Sequence, residues 1–144
     1  MKIKQVGQVL AFLTVLAFLG SIMVVPALAG GVIHGNKDNP GQPLDIKKFV
    51  KPGQTTIIDM YSHYCPPCEK IAPILASVAA KRPKTQVVKL DINRPNVKGS
   101  IDFDSPLAKQ QGLKFVPFIL IFDEQGQLQY QGQEAINKVL EWNK

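Results

Sequence analysis

The spacing of hydrophobic and polar positions along this 144-residue chain changes several times, and each change marks an element. Residues 9–25 form an almost unbroken apolar run, interrupted only by Thr14, Gly20 and Ser21. Residues 44–50 read as a short helix ended by Pro52 and Gly53. Residues 55–61 (TTIIDMY) are β-branched and mostly apolar, the pattern of a buried strand. From Pro66 the period becomes helical, with Ile71, Ile74, Leu75, Val78 and Ala79 on one face up to about Lys81. Residues 86–92 (QVVKLDI) form a second strand. A strand, a helix and a strand in this order predict a right-handed crossover and a parallel pair.

Residues 93–104 read as a loop. Ser105 and Pro106 are a cap and a proline that open a short helix, and Gly112 closes it. Residues 117–122 (PFILIF) are a strongly apolar strand, and residues 123–126 turn it into a hairpin with residues 128–131. Residues 133–142 form a closing helix with Ile136, Val139, Leu140 and Trp142 facing inward. Pro66 and Pro67 suit a first helical turn, whose amides lack intrahelical partners anyway. Pro73, in mid-helix, removes a hydrogen bond and should kink the rod. The order β-α-β-α-β-β-α predicts an α/β fold, a central mixed sheet flanked by helices on both sides.

Composition excludes disorder, since 45% of residues are hydrophobic and 19% charged, and the length fits one domain. The first part of the chain has another purpose. Residues 1–29 read as a signal peptide: Lys2 and Lys4 give a positive start, Pro26 breaks the apolar run, and Ala27-Leu28-Ala29 offers small residues for cleavage before Gly30. The alternative is an uncleaved anchor, because residues 6–25 match the ~20 apolar residues that cross a bilayer. No cysteine lies near the junction for lipid attachment. Residues 30–43, rich in Gly, Pro and Asn, read as a flexible lead-in to a domain over residues 44–144. Either form of the N-terminus places that domain outside the cytoplasm, periplasmic or secreted. Without Lys2 and Lys4, the 17 basic residues fall to 15 against 11 acidic ones, a net +4. A mild, dispersed surplus is a solubility feature and predicts no nucleic-acid partner; a monomer is expected.

The two cysteines carry the chemistry. Exported small domains often use several disulfides as staples, but here Cys65 and Cys68 stand alone, three positions apart. A bridge closing so small a loop gains little chain entropy, so electron exchange explains the pair better than architecture. Only a thiolate attacks a disulfide, and a helix amino end stabilises negative charge at Cys65. Cys68, one turn in, can resolve the mixed disulfide. Cys65 is therefore expected to be exposed and Cys68 buried. Pro66 and Pro67 lack amide hydrogens, leaving those of Cys68 and Glu69 as donors, and Glu69 adds negative charge. Both features weaken thiolate stabilisation and favour a reducing couple. Rigid prolines also constrain the ring, with an effect on potential whose sign the sequence does not fix.

Residues 58–75 (IDMYSHYCPPCEKIAPIL), 87–92 (VVKLDI) and 116–122 (VPFILIF) together resemble the thioredoxin family over about residues 55–142. The resemblance implies a thioredoxin fold and a protein thiol-disulfide oxidoreductase with a redox-active Cys65–Cys68 disulfide. It implies that Asp59 is a buried acid that takes the Cys68 proton, and that Lys89 pairs with it. It implies a cis peptide bond before Pro117, with the Val116 backbone free to pair with an extended substrate. Tyr64 stands where tryptophan is common and, with Pro66, completes the substrate-binding set. His63 is read as a rim residue able to tune the thiolate by charge. The 93–111 connection looks longer than in a minimal member, an insertion expected to be a solvated loop.

Two directions of electron flow stay open. The favoured one is a reductase, in disulfide repair or cytochrome c maturation; the other is a disulfide-forming oxidase. A copper-handling module using Cys65, Cys68 and a histidine, His63 or His34, is the rival of a different class. A structural zinc site would need four protein ligands, and no second Cys/His pair exists. No metal and no cofactor are expected. The partners expected are protein thiol and disulfide substrates, with a membrane or soluble redox protein to recharge the site.

Overall fold

Five strands form one sheet in the order β1-β3-β2-β4-β5 in the computed structural model, which describes residues 30–144. The strands are β1 (Val32–His34), β2 (Thr55–Tyr61), β3 (Thr85–Asp91), β4 (Phe118–Phe122) and β5 (Leu128–Gln131). The helices are α1 (Pro66–Lys81), α2 (Pro106–Gln110) and α3 (Gly132–Trp142), with a 3₁₀ turn at Ile46–Phe49. β1, β3 and β2 run parallel, while β4 is antiparallel to β2 and to β5. This is the mixed sheet that the alternation of elements predicts. The signal or anchor expected over residues 1–29 lies outside the described residues.

Both faces of the sheet are buried, and the period of two along each strand sorts side chains between them. Ile57, Val87, Ile119 and Ile121 pack with Ile71, Leu75 and Val78 of α1 and with Ala135 and Val139 of α3. Ile58, Met60, Val88, Leu90, Leu120 and Phe122 pack on the other side with Leu107 and Ala108 of α2. Asp59 and Lys89 fall on the α1/α3 face, in phase with Ile57 and Val87. The alternation that fills the core thus also puts a carboxylate into it.

Helices α1 and α2 start as their sequences require. Cys65 is the N-cap of α1, followed by Pro66 and Pro67 in the positions that need no amide. Pro73 sits inside α1, where its missing N–H leaves the Glu69 carbonyl without an intrahelical partner. Ser105 caps α2 by accepting from the Ala108 amide, and Gly112 follows at φ +62°, a conformation that favours glycine.

Three expectations are corrected. Residues 30–43 are not a flexible lead-in. They carry β1, which pairs with Val87–Lys89, and a turn in which buried Asn36 exchanges side-chain hydrogen bonds with the Asp91 backbone. The open edge of β3 provides the unpaired backbone groups that order this segment. Leu140 does not face inward: it is 42% exposed, while Ala135 and Val139 hold that face of α3. Residues 93–104 are not simply a solvated loop, because Asn93 and Asp102 are buried within them. Among the described residues no helix is long and apolar enough to cross a membrane.

Candidate active site

The parallel strands β2 and β3 end side by side, at Tyr61 and Asp91, and the reactive segment leaves the sheet there. Residues 62–65 turn the chain from β2 into α1, held by the Cys65 amide donating to the Ser62 carbonyl (3.1 Å) and the Tyr64 amide donating to Ser62 Oγ (3.1 Å). Cys65 and Cys68 are joined as a disulfide across the first turn of α1. The Cys68 amide is shared between the Cys65 carbonyl (3.0 Å) and Cys65 Sγ (3.2 Å), and among the described residues no other backbone donor is aimed at that sulfur. The Glu69 amide, the second donor expected, goes instead to the Cys65 carbonyl at 3.2 Å.

Val116 and Pro117 approach from the loop before β4, and the bond between them is cis. The Val116 carbonyl oxygen lies 3.6 Å from Cys65 Sγ. This is a contact while the disulfide is intact, since the sulfur then carries no proton, and it offers an acceptor to the Cys65 thiol on reduction. The expectation of an exposed first cysteine is corrected: Cys65 is 1% exposed and Cys68 2%. Val116 closes one side of the Cys65 sulfur and the helix start closes another. Tyr64 is half-buried, Pro66 is exposed and Pro117 is buried.

Asp59 is fully buried on β2, with Lys89 Nζ 3.4 Å from its Oδ2 and no hydrogen-bond partner among the described residues. Burial pushes its carboxyl up from 3.8 to about 6, and the Lys89 charge limits the rise. Lys89 Nζ also lies over the Tyr61 ring, 4.3 Å from its centroid. Burial, with the carboxylates of Asp91 and Asp59, pushes the Tyr61 phenol up to about 12, so it stays neutral. A cavity of about 190 Å³ beside this group is lined by Tyr61, His63, Cys68, Glu69, Ala72 and Lys89, with Asp59 buried behind it. On the opposite side of the site, Pro67, Ile71, Phe115, Val116, Ile136 and Leu140 line an apolar groove of about 380 Å³.

All the expected residues converge on this end of the sheet. Three further residues hydrogen-bonded there were not singled out. Ser62, Asp91 and Asn93 have no motif of their own, although the two-residue period placing Lys89 beside Asp59 also places Asp91 beside Tyr61. His63 is more than a loose rim residue: its Nδ1 is 2.7 Å from Asp91 Oδ2, and its ring lies 4.1 Å from that of Tyr64. Among the described residues no three His, Cys, Asp or Glu side chains gather as a metal would need.

A disulfide at the mouth of a helix, a facing cis-proline loop and a buried acid–lysine pair under a mixed sheet define a dithiol–disulfide exchange protein. The thioredoxin family profile matches residues 44–143, so the chain belongs to the thioredoxin family, whose members are disulfide oxidoreductases. Chloroplastic thioredoxin F of Oryza sativa subsp. japonica is 31% identical over 108 residues, 75% of this chain and 51% of its own length. A thioredoxin-like protein of Fusarium culmorum is 25% identical over 92 residues, 64% of this chain and 71% of its own. This chain thus spans about half of the one relative and about seven-tenths of the other. The crystal structure of the short form of spinach chloroplast thioredoxin F superposes with a TM-score of 0.56 at 28% identity, over 80% of this chain and 92% of that one.

Proposed function

We propose that this chain is an exported protein-disulfide reductase, with Cys65 attacking and Cys68 resolving. One observation carries the direction: among the described residues only the Cys68 amide faces the Cys65 sulfur, and it is shared with the Cys65 carbonyl, while Pro66 and Pro67 have none to give. A thiolate so sparsely supported makes the reduced form less stable and the couple more reducing.

The cycle follows from the placement of groups. The Cys65 thiolate attacks one sulfur of a client disulfide, the client S–S bond breaks, and the released client thiolate takes up a proton. Asp59, whose carboxyl burial raises to about 6, receives the Cys68 proton, with its partner Lys89 bordering the cavity that Cys68 lines. Cys68 then attacks Cys65 Sγ, the second client thiol leaves, and two electrons have passed to the client. A redox partner, soluble or membrane-bound, returns them. The Val116 backbone, whose N–H has no partner among the described residues, pairs with the extended client beside Tyr64, Pro66 and Pro117. Export rests on the 1–29 sequence, cleaved after Ala29, and directs the activity to clients outside the cytoplasm.

The copper-handling reading has less support, since among the described residues no histidine gathers with Cys65 and Cys68 into a three-ligand group. Equilibration of the purified domain in thiol buffers tests the direction of electron flow. A potential near −270 mV supports the reductase, and one near −120 mV overturns it in favour of an oxidase. A Cys68→Ser variant should accumulate client proteins as mixed disulfides on Cys65.

A further inference from the structure

The 93–104 segment is tied to the residues just before the nucleophile by a buried polar network. Ser62 is 0% exposed, Asn93 1% and Asp102 4%. Ser62 Oγ donates to Asn93 Oδ1 at 2.6 Å, and the Asp102 amide donates to the same oxygen at 3.2 Å. Asn93 Nδ2 donates to the Ser100 carbonyl at 2.7 Å. Asp102 is itself held by a two-pronged pair, Arg94 Nε to Oδ2 at 2.7 Å and Nη2 to Oδ1 at 2.9 Å. None of the side-chain atoms of Ser62, Asn93 or Asp102 is left unpaired and buried.

The network reaches the catalytic turn most directly through Ser62. Ser62 passes its restraint to the catalytic turn through two bonds already described, its Oγ to the Tyr64 amide and its carbonyl to the Cys65 amide. With its hydrogen committed to Asn93, the Ser62 hydroxyl presents a lone pair to Tyr64 N–H in one fixed direction. Next to it, Asp91 takes the Asn93 amide on Oδ1 (2.8 Å) and His63 Nδ1 on Oδ2 (2.7 Å). Successive residues before the nucleophile, Ser62 and His63, are thus held by alternate residues at the end of β3.

We propose that Asn93 is a positioning residue for disulfide exchange, acting through Ser62 on the backbone that presents Cys65, and that residues 94–102 serve to lock it. The proposal rests on Cys65 being the attacking thiol. A solvated loop would leave Asn93 free to rotate. The bonds from Asp102 and to Ser100 fix both ends of its amide, so the loop and the catalytic turn form one cooperative unit.

The test is a cycle of Asn93→Ala, Ser62→Ala and the double variant in the full mature domain. Core variant Val139→Ala on α3 serves as a control matched for lost stability. The readouts are the second-order rate of Cys65 alkylation after reduction and the redox potential of the pair. Asn93→Ala is expected to slow alkylation about tenfold, the rate equivalent of one net hydrogen bond to a buried group. Ser62→Ala should do the same, and the double variant no more than either alone, because both lie on one path. Val139→Ala should leave rate and potential unchanged. Unchanged rate and potential in both single variants, additive losses in the double, or an equal loss in Val139→Ala would overturn the proposal. If Asn93→Ala does not fold, Ser62→Ala decides alone by the same two readouts. Failure of the parent domain to form any mixed disulfide would instead overturn the assignment of Cys65, a separate result.

Discussion

Asp59 and Lys89 stand opposite each other in register on β2 and β3, with 3.4 Å between carboxylate and ammonium. One lysine does not offset the loss of water around a fully buried carboxylate. Raising this carboxyl from 3.8 to about 6 means that its ionisation costs the folded state roughly 3 kcal/mol. The folded chain holds a proton that the unfolded chain has released between about pH 4 and pH 6. Stability should therefore fall as pH rises through that window. Asp59→Asn should flatten this dependence and stabilise the domain at pH 7 by about 2 kcal/mol, less than the full cost because Lys89 loses its partner. Denaturant titrations at pH 4 and pH 7 check both statements.

The same carboxyl should shape the kinetics. Release of a mixed disulfide by Cys68 should accelerate as pH rises through about 6, where Asp59 becomes able to accept a proton. Stopped-flow measurement of the resolving step should show that inflection in the parent chain and none in Asp59→Asn.

Lys89→Met gives the complementary result. Lys89 lowers the Asp59 carboxyl against the effect of burial, so removing its charge should move the inflection to higher pH. The variant should also resolve more slowly at pH 7, and an unmoved inflection would show that Lys89 does not act on Asp59.

Pro67→Ala restores an amide at the second position of α1, where a cap side chain normally finds a donor. A second amide aimed at Cys65 Sγ should stabilise the thiolate and make the couple more oxidising. For this two-electron couple, a tenfold change in the equilibrium constant is about 30 mV. A more negative potential in this variant would remove the argument that the paired prolines make the couple reducing.

Leu140, exposed at the edge of the apolar groove beside Val116 and Phe115, should contact client protein. Leu140→Lys is expected to raise KM for a protein disulfide about fivefold, the loss of about 1 kcal/mol of interface contact. Reduction of a small aromatic disulfide should be unaffected.

The sheet and helices were legible because apolar periods and proline punctuation are local signals. Thr55–Tyr61 alternates between two buried faces, and Pro66 and Pro67 mark where a helix can begin. The disulfide, Asp59, Lys89 and the cis bond at Pro117 were legible through the family motif. What stayed hidden depends on pairing across the fold. The order of residues 30–43 comes from the free edge of β3, and Asn36 reaches Asp91 across 55 positions of sequence. Ser62 and Asn93 are unremarkable polar residues until the strand ends bring them together. The cover over Cys65 is likewise tertiary, since Val116 arrives from 51 positions away.

β1 runs parallel to β3, with Gly31 beside Val87 at the end of the sheet where β2 and β3 begin. Cys65 lies past the end where they finish. Residue 30, where the described chain begins, therefore sits at one pole of the domain and the reactive sulfur at the other. Whatever is joined ahead of it leaves the working end free for other proteins to reach.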